Sequence, residues 1–517
     1  MRRRKFLAAS ASLPLLFNRL PRELASPRML GALGSDPDER VLVLIQLTGG
    51  NDGLNTLIPL DQYDQLANVR PTLVQPRSSL LDIGGDRALH GAFSGARELW
   101  DAGELAIVQD VSYPEQNRSH FRSTDIWNTG SASDEVLTTG WLGRRFGLDH
   151  PDYPTGYPSA EFEDPLAITV GATVSETCQG TASNFSLTLR NPFRVTAILE
   201  GEDTPLPDTP RGRELEFLRT SVVQANQYGA TVKAKVETGN TLATYPEDNY
   251  LADRLRYVAQ MISGGLSTKV YVLSIGGFDT HANQIVDGDP TTGDHAALLK
   301  EVGDAIAAFQ TDLKLLGLGE RVIGMTYSEF GRRIRENGGL GTDHGTAAPM
   351  FLFGECVNAG VLGSNPTIDT AVDELEGVAM QYDFRDVYGS VLEDWFGLDG
   401  ATVRGVLHDE YVKLPVLRDC SDPISDVQES AFAKTRLTLA PSPFDARAQL
   451  TFETASAGPV RLSVYDVQGS LVETLFERRL PAGAQTVNVD TSAYPTGVIV
   501  FHLQRGSEVK VVRGVKL

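Results

Sequence analysis

Val41-Leu-Val-Leu-Ile-Gln-Leu47 runs directly into Thr48-Gly-Gly-Asn-Asp-Gly-Leu-Asn55. A continuous apolar run that stops at paired glycines suits a strand buried on both faces. Lys269-Val-Tyr-Val-Leu-Ser-Ile275 repeats the arrangement and stops at Gly276-Gly277, and Arg321-Val-Ile-Gly-Met-Thr-Tyr327 stops at Ser328-Glu329. Helical patterns occupy about 211–238, 248–263, 295–316 and 383–396. Strands separated by helices predict an α/β body over residues 40–420, a parallel sheet with helices on both faces. Such a sheet places its chemistry at the carboxyl ends of its strands, so the loops after these three runs are expected to share one cleft.

Those loops carry carboxylates and histidines. Asp52 follows the first strand, Asp279 with His281 and Asn283 the second, and Glu329 the third, with Asp343-His344 further along. Carboxylates gathered at one sheet edge repel one another, and are tolerated when a cation neutralises them or when the protein uses their raised pKa values. Asp52, Asp279, His281, Glu329, Asp343 and His344 are therefore the candidate metal ligands. Mixed Asp and His donors suit zinc or manganese, whereas an all-oxygen set would suit calcium or magnesium. Ser119, in Gln116-Asn-Arg-Ser-His-Phe-Arg-Ser123, stands before a helical stretch whose N–H groups and dipole would favour an oxyanion. It is the candidate nucleophile. Arg118 and Arg122 are placed to hold anionic oxygens in bidentate fashion, and Asn51 and His120 complete the candidate substrate contacts.

The 517 residues carry 46 Lys+Arg against 67 Asp+Glu, a net charge of −21. That balance excludes nucleic acid and anionic membrane as expected partners, since both are polyanions. Three cysteines exclude a disulfide scaffold and multi-cysteine zinc modules, and their odd number leaves at least one thiol without an intramolecular partner. No apolar run reaches the roughly 18 residues of a membrane span. The N-terminus reads Met1-Arg-Arg-Arg-Lys-Phe-Leu7, followed by a mildly apolar stretch to Phe17 and small residues near Ser26. Residues 1–34 are expected to be an export signal, and Arg3-Arg4-Lys5-Phe6-Leu7 fits the twin-arginine pattern. From about Leu437 the texture changes to short alternating segments at 449–453, 460–465, 485–489, 498–503 and 509–512, punctuated by turn residues. This predicts a small all-β sandwich over 437–517, joined through a linker at 421–436.

TGGNDGLNTLIP (48–59), NRSHF (117–121), GGFDTHANQ (276–284), YSEFGRRIREN (327–337) and GTDHGTAAPMFLFG (341–354) resemble the exported bacterial family called domain of unknown function 1501. That family is grouped with the alkaline phosphatase and sulfatase superfamily. The resemblance implies an alkaline-phosphatase-like core, two metals around a Ser, Thr or modified Cys nucleophile, Asp52 as the first-strand metal aspartate and Ser119 as the nucleophile. It aligns Asp279 with His281 on the other metal, and either Glu329 where an Asp-His pair usually follows a strand with His344 as the late histidine, or Asp343-His344 as that pair with the late histidine missing. This chain departs from the pattern in its short Asp279-Thr280-His281 spacing, in Phe330 where a ligand histidine usually stands, and in lacking the Cys/Ser-x-Pro-x-Arg of sulfatases. The C-terminal segments Pro441-Ser-Pro-Phe444, Val464-Tyr-Asp-Val-Gln-Gly469 and Tyr494-Pro-Thr-Gly-Val-Ile-Val-Phe501 resemble the sorting domain of type IX secretion substrates.

Together these readings lead to an exported metal-dependent hydrolase of phosphate or sulfate esters. It would act on a small-molecule or glycan ester and depend on the twin-arginine and type IX export machinery. It would be periplasmic in transit, then at the cell surface or secreted. The alternative is a non-catalytic cell-surface protein on the same fold, binding a glycan or a partner protein.

Overall fold

The computed structural model describes residues 39–198, 207–369 and 371–420, and residues 438–516 apart from 442, 455–457, 466–470, 481–482 and 506–507. The chain divides into two compact units, residues 1–421 and 422–517. The expected export signal (1–34) and linker (421–436) lie outside the described residues.

The larger unit is organised on one nine-stranded sheet: β1 (Val41–Leu47), β2 (Leu105–Ser112), β3 (Ala167–Val170), β4 (Ser186–Leu189), β5 (Val270–Ile275), β6 (Val322–Tyr327), β7 (Ala348–Phe353), β8 (Gly360–Leu362) and β9 (Tyr382–Asp383). Its order is β8-β2-β7-β6-β1-β5-β3-β4, with β9 alongside the end of β2. Eight helices matter here: α1 (Ser94–Asp101), α2 (His120–Thr129), α3 (Trp141–Asp149), α4 (Pro210–Val236), α5 (Tyr250–Ser263), α6 (Asp294–Leu315), α7 (Phe384–Asp394) and α8 (Gly400–Leu407).

β1 lies between β5 and β6 and runs parallel to both, Leu42 standing opposite Val270 and Ile323. Its side chains alternate between two cores. Val41, Val43, Ile45 and Leu47 pack with residues of α1, α4, α5 and α6, while Leu42 and Leu44 pack with residues of α2, α3, α7 and α8. Burial on both faces is why this strand reads as an unbroken apolar run, and each such side chain contributes about 1.5–3 kcal/mol.

The helices follow from equally local signals. In α5, Leu251, Ala252, Leu255, Val258, Ala259 and Ile262 recur at helical spacing and are all buried. Asn249 opens that helix by accepting the Ala252 N–H at 2.8 Å, and Gly264 follows its last residue.

The sheet is not wholly parallel. β7 runs antiparallel to both β6 and β2. The 20-residue connection from β6 to β7 holds no helix among the described residues, so it lacks the helical crossover that usually serves a parallel return. Instead it folds back over the carboxyl end of the sheet and carries Glu329, Arg332, Asp343 and His344 with it. Cys356 and Cys420 form a disulfide, and Cys178 remains a buried thiol whose pKa burial pushes up to about 12. No helix among the described residues is long and apolar enough to cross a membrane.

The strands of the smaller unit pair antiparallel in two sheets. One sheet joins Thr438–Ala440, Arg447–Thr454 and Gly483–Asp490, and the other joins Leu471–Leu480, Gly458–Tyr465, Gly497–Arg505 and Glu508–Lys516. Leu450, Phe452 and Val489 from the first share a core with Leu462, Val464, Phe501 and Leu503 from the second, which makes the pair a sandwich.

Candidate metal centre

β1, β5 and β6 run in one direction, so their following loops leave the same edge. β2 runs the same way, because it and β6 are each antiparallel to β7, and it leads to α2. The loops are stitched together by backbone. Thr48 N–H donates to Ile275 O at 2.9 Å, Phe278 N–H to Thr48 O at 3.2 Å, and Thr342 N–H to Thr280 O at 3.1 Å. Gly49 has φ +124°, and a Cβ there would lie 2.3 Å from Asp279 N; a Cβ on Gly50 would lie 2.4 Å from the Phe330 ring. Only glycines let the first loop come this close to the other two.

Four side chains meet where these loops converge. His120, Asp279 and His344 each offer a ligand atom, all within 4.8 Å of one another. His120 Nε2 lies 3.4 Å from Asp279 Oδ2, and His344 Nε2 lies 3.1 Å from Asp279 Oδ1. His281 Nε2 adjoins them, 3.1 Å from Asp279 Oδ1 and 2.9 Å from His344 Nε2.

The other nitrogen of each ring is already committed. His120 Nδ1 faces Glu329 Oε1 at 2.8 Å, His281 Nδ1 faces Asp343 Oδ1 at 2.9 Å, and His344 Nδ1 faces Arg118 O at 2.9 Å. Ionised carboxylates and carbonyls only accept, which assigns the proton to each Nδ1 and, in the neutral rings, leaves each Nε2 with a lone pair. The Asp279 carboxylate then faces three lone pairs at 3.1–3.4 Å, and those of His281 and His344 face each other at 2.9 Å. This arrangement repels itself without a cation or a shared proton at its middle.

The donor set fits a divalent ion. Bonds of about 2.0–2.2 Å at tetrahedral angles hold neighbouring ligand atoms about 3.3 Å apart. Imidazoles fixed through Nδ1 by an oxygen acceptor are the usual support for metal-binding histidines. Glu329 supplies a further sign, since its Oε1 also accepts the Gly49 N–H at 2.8 Å while its buried Oε2 has no partner among the described residues. Phe330 closes the inner side, its ring 4.9 Å from that of His120 and 4.6 Å from that of His344. Burial alone would raise the Asp279 pKa, but the hydrogen bond and positive charge of Arg332 hold it below the usual carboxylate range. Burial lowers the His344 pKa against the opposing pull of Asp279.

The remaining candidates take other places. Asp52 lies apart from the cluster, buried and held by Arg70, whose NH1 stands 2.9 and 2.8 Å from the two carboxylate oxygens; Gln284 Nε2 donates to Oδ2 at 2.6 Å. Asn51 is buried too, its Oδ1 3.1 Å from His295 Nε2 and accepting from Thr56 Oγ1 at 3.1 Å. Asp343 stands behind His281 and also accepts from Asn337 Nδ2 at 3.0 Å and Arg333 NH1 at 3.2 Å. Glu329 likewise stands behind His120. Arg122 is occupied by Asp125 and by the carbonyls of Ala132, Ser133 and Glu135, so its guanidinium fixes that turn. Arg118 donates to Leu375 O at 2.8 Å. Ser119 is exposed and its side chain makes no capping bond to α2. It sits in the chain between Arg118, whose carbonyl holds His344, and His120.

Arginines 70, 332 and 333 escaped the sequence reading. Arg332 is buried and donates to Asp279 Oδ1 at 2.8 Å and to the carbonyls of Gly50, Phe278 and Thr342. Arg332 and Arg333 lie within the motif 327–337, whereas Arg70 lies in no motif and gave no signal. A cavity of about 560 Å³ lies elsewhere in the unit, lined by residues including Arg144, His150, Tyr153 and Phe185. It holds no member of the cluster, and Arg144 spends its guanidinium on the carbonyls of Thr129, Thr139 and Val406.

The family described as "Protein of unknown function (DUF1501)" matches residues 104–407. The chain belongs to this family. The matched span contains all four residues of the cluster and excludes Asp52 and Arg70. No curated protein matches the chain. Among solved structures it is similar to a sulfatase from Pseudoalteromonas sp., at 9% identity over 87% of this chain and 84% of that one, with a TM-score of 0.32. It is also similar to an alkaline phosphatase superfamily protein from Vibrio parahaemolyticus, at 11% identity over 84% and 82%, with a TM-score of 0.31. A phosphonate monoester hydrolase from Silicibacter pomeroyi aligns at 10% identity over 92% and 88%, with a TM-score of 0.33.

Proposed function

We propose that the chain is an exported, metal-dependent hydrolase of phosphate or sulfate esters. The carrying observation is the convergence of three Nδ1-anchored imidazoles on the Asp279 carboxylate at the open end of the sheet. His120, Asp279, His281 and His344 would hold the ion. A bound divalent cation supplies Lewis acidity and charge stabilisation for attack on an ester of this kind. The residues around it have separate tasks. Ser119 presents a hydroxyl free of capping duty at the N-terminus of α2, where helix N–H groups favour an oxyanion. Arg118 stands one residue before it and would orient anionic substrate oxygens.

Export is supported by the basic-apolar N-terminus and by the Cys356–Cys420 disulfide, a bond that persists in oxidising compartments. The antiparallel sandwich at the C-terminus supports the sorting-domain reading and, with it, passage through the type IX machinery to the cell surface.

The test is turnover of chromogenic aryl phosphate and aryl sulfate by the full chain before and after chelation. Hydrolysis that chelation abolishes, readdition of zinc or manganese restores, and Ser119→Ala suppresses by orders of magnitude is the expected result. A specific observation favours the second reading, a non-catalytic surface protein that binds a glycan or a partner: Asp52 is locked to Arg70 and Arg122 to its own turn. Bound metal with no turnover of either ester would select that reading.

A further inference from the structure

Three carboxylates reach this end of the sheet, after β1, β5 and β6, yet each is held differently. Asp279 is 46% exposed and faces the ring nitrogens; Arg332 meets its Oδ1 alone at 2.8 Å, which leaves Oδ2 open toward His120. Glu329 is buried and turned to His120 and the Gly49 N–H. Asp52 has no ring nitrogen of the cluster beside it. Its side chain and that of Arg70 are each 1% exposed, and both its oxygens are taken by Arg70 NH1, one of them also by Gln284.

Arg70 is itself held on its other sides. Its Nε donates to Ile334 O at 2.7 Å and its NH2 to Arg333 O at 2.6 Å. A cation seated on Asp52 would have to expel a guanidinium that is buried and hydrogen-bonded to two carbonyls. The expelled charge would then stand unpaired in the interior, which is strongly unfavourable. The nearby His295 adds no donor to the cluster, because its Nε2 is turned to Asn51 Oδ1 at 3.1 Å. Among the described residues, one group of His and carboxylate side chains gathers closely enough to hold an ion, and it is the Asp279 group.

We infer that the centre takes a single divalent ion at His120, Asp279, His281 and His344, with the Arg70 guanidinium as the permanent counter-cation of Asp52. The inference rests on the metal-dependent reading above and narrows it to a one-ion site flanked by a fixed positive side chain.

The experiment is metal content by plasma mass spectrometry on the full chain, saturated with zinc and freed of excess by gel filtration. Asp52→Asn, an Asp52→Leu/Arg70→Met double variant and His344→Ala are measured beside it. One equivalent in the wild type, one in Asp52→Asn and in the double variant, and loss in His344→Ala is the expected pattern. Two equivalents in the wild type, or one lost on replacing Asp52, overturns the inference and leaves metal dependence standing. No metal in the wild type overturns both together. If the Asp52 variants do not fold, the wild-type stoichiometry alone decides.

Discussion

Asp52 and Asp279 follow neighbouring parallel strands, stand in glycine-rich loops and are chemically identical, yet they end in opposite surroundings. Asp52 is sealed, 1% exposed and held at both oxygens by an arginine; Asp279 is 46% exposed, meets Arg332 at one oxygen only and is ringed by imidazoles. A strand-end carboxylate is therefore not a metal ligand by position. What differs is how far the neighbouring arginine closes the carboxylate: Arg70 meets both oxygens of Asp52, whereas Arg332 meets only Oδ1 of Asp279 and leaves Oδ2 toward His120.

The sharpest break of this contrast is Arg70→Ala. It leaves Asp52 as a buried, unpaired charge and should cost about 3–5 kcal/mol in denaturant unfolding, whereas removing both partners as Asp52→Leu/Arg70→Met should cost far less. A double variant as unstable as the single one would show that the pair is not what neutralises Asp52.

The sealed site also predicts a pH dependence. Burial lowers the His295 pKa to about 4 and the His90 pKa to about 3. Both rings are neutral when folded, while the unfolded chain takes up their protons below about 6.5. Their stabilising contribution is present above that value and is lost as pH falls toward 4, by about 3 kcal/mol for His295. Urea melts at pH 7 and pH 4.5 check this, and His295→Asn should flatten the slope. An equal slope in the variant would remove His295 from the account.

On the open side, Asp343 orients His281 through Nδ1 at 2.9 Å. Asp343→Ala should weaken zinc affinity by about 10–100-fold, as loss of a supporting acceptor does elsewhere, with little change in unfolding midpoint. Unchanged affinity would mean that His281 is not among the ligands. The smallest effect is expected from Phe330→Leu, which keeps an apolar surface against His120 and His344. It should cost less than about 1.5 kcal/mol and leave metal content intact.

The difference between the two aspartates also marks what was legible in the sequence. β1, β5 and β6 declare themselves through local apolar runs, and the four long helical stretches through their periodicity, because both signals arise from neighbours in the chain. The antiparallel course of β7 was not legible, since it depends on a connection that turns without a helix. The motifs gathered the right loops at one edge, but not the partners within them. His120, read as a substrate contact, has its Nε2 beside Asp279, while Asp343 and Glu329, read as ligands, stand behind histidines. Which nitrogen faces which oxygen is settled by loop packing, to which spacing is blind. Arg70 lies 18 residues from Asp52 outside any motif, and nothing local announces that it will be its counter-ion.

The central claim is that the Asp279 cluster is a metal centre. Cobalt titration of the purified full chain, followed by visible absorption, tests it most directly, because low-symmetry cobalt bound by nitrogen and oxygen absorbs far more strongly than the hydrated ion. A saturable band is expected in the wild type, displaced by zinc and lacking in His120→Ala and His344→Ala. A wild type that gives no band beyond free cobalt, or variants that bind as the wild type does, would contradict it.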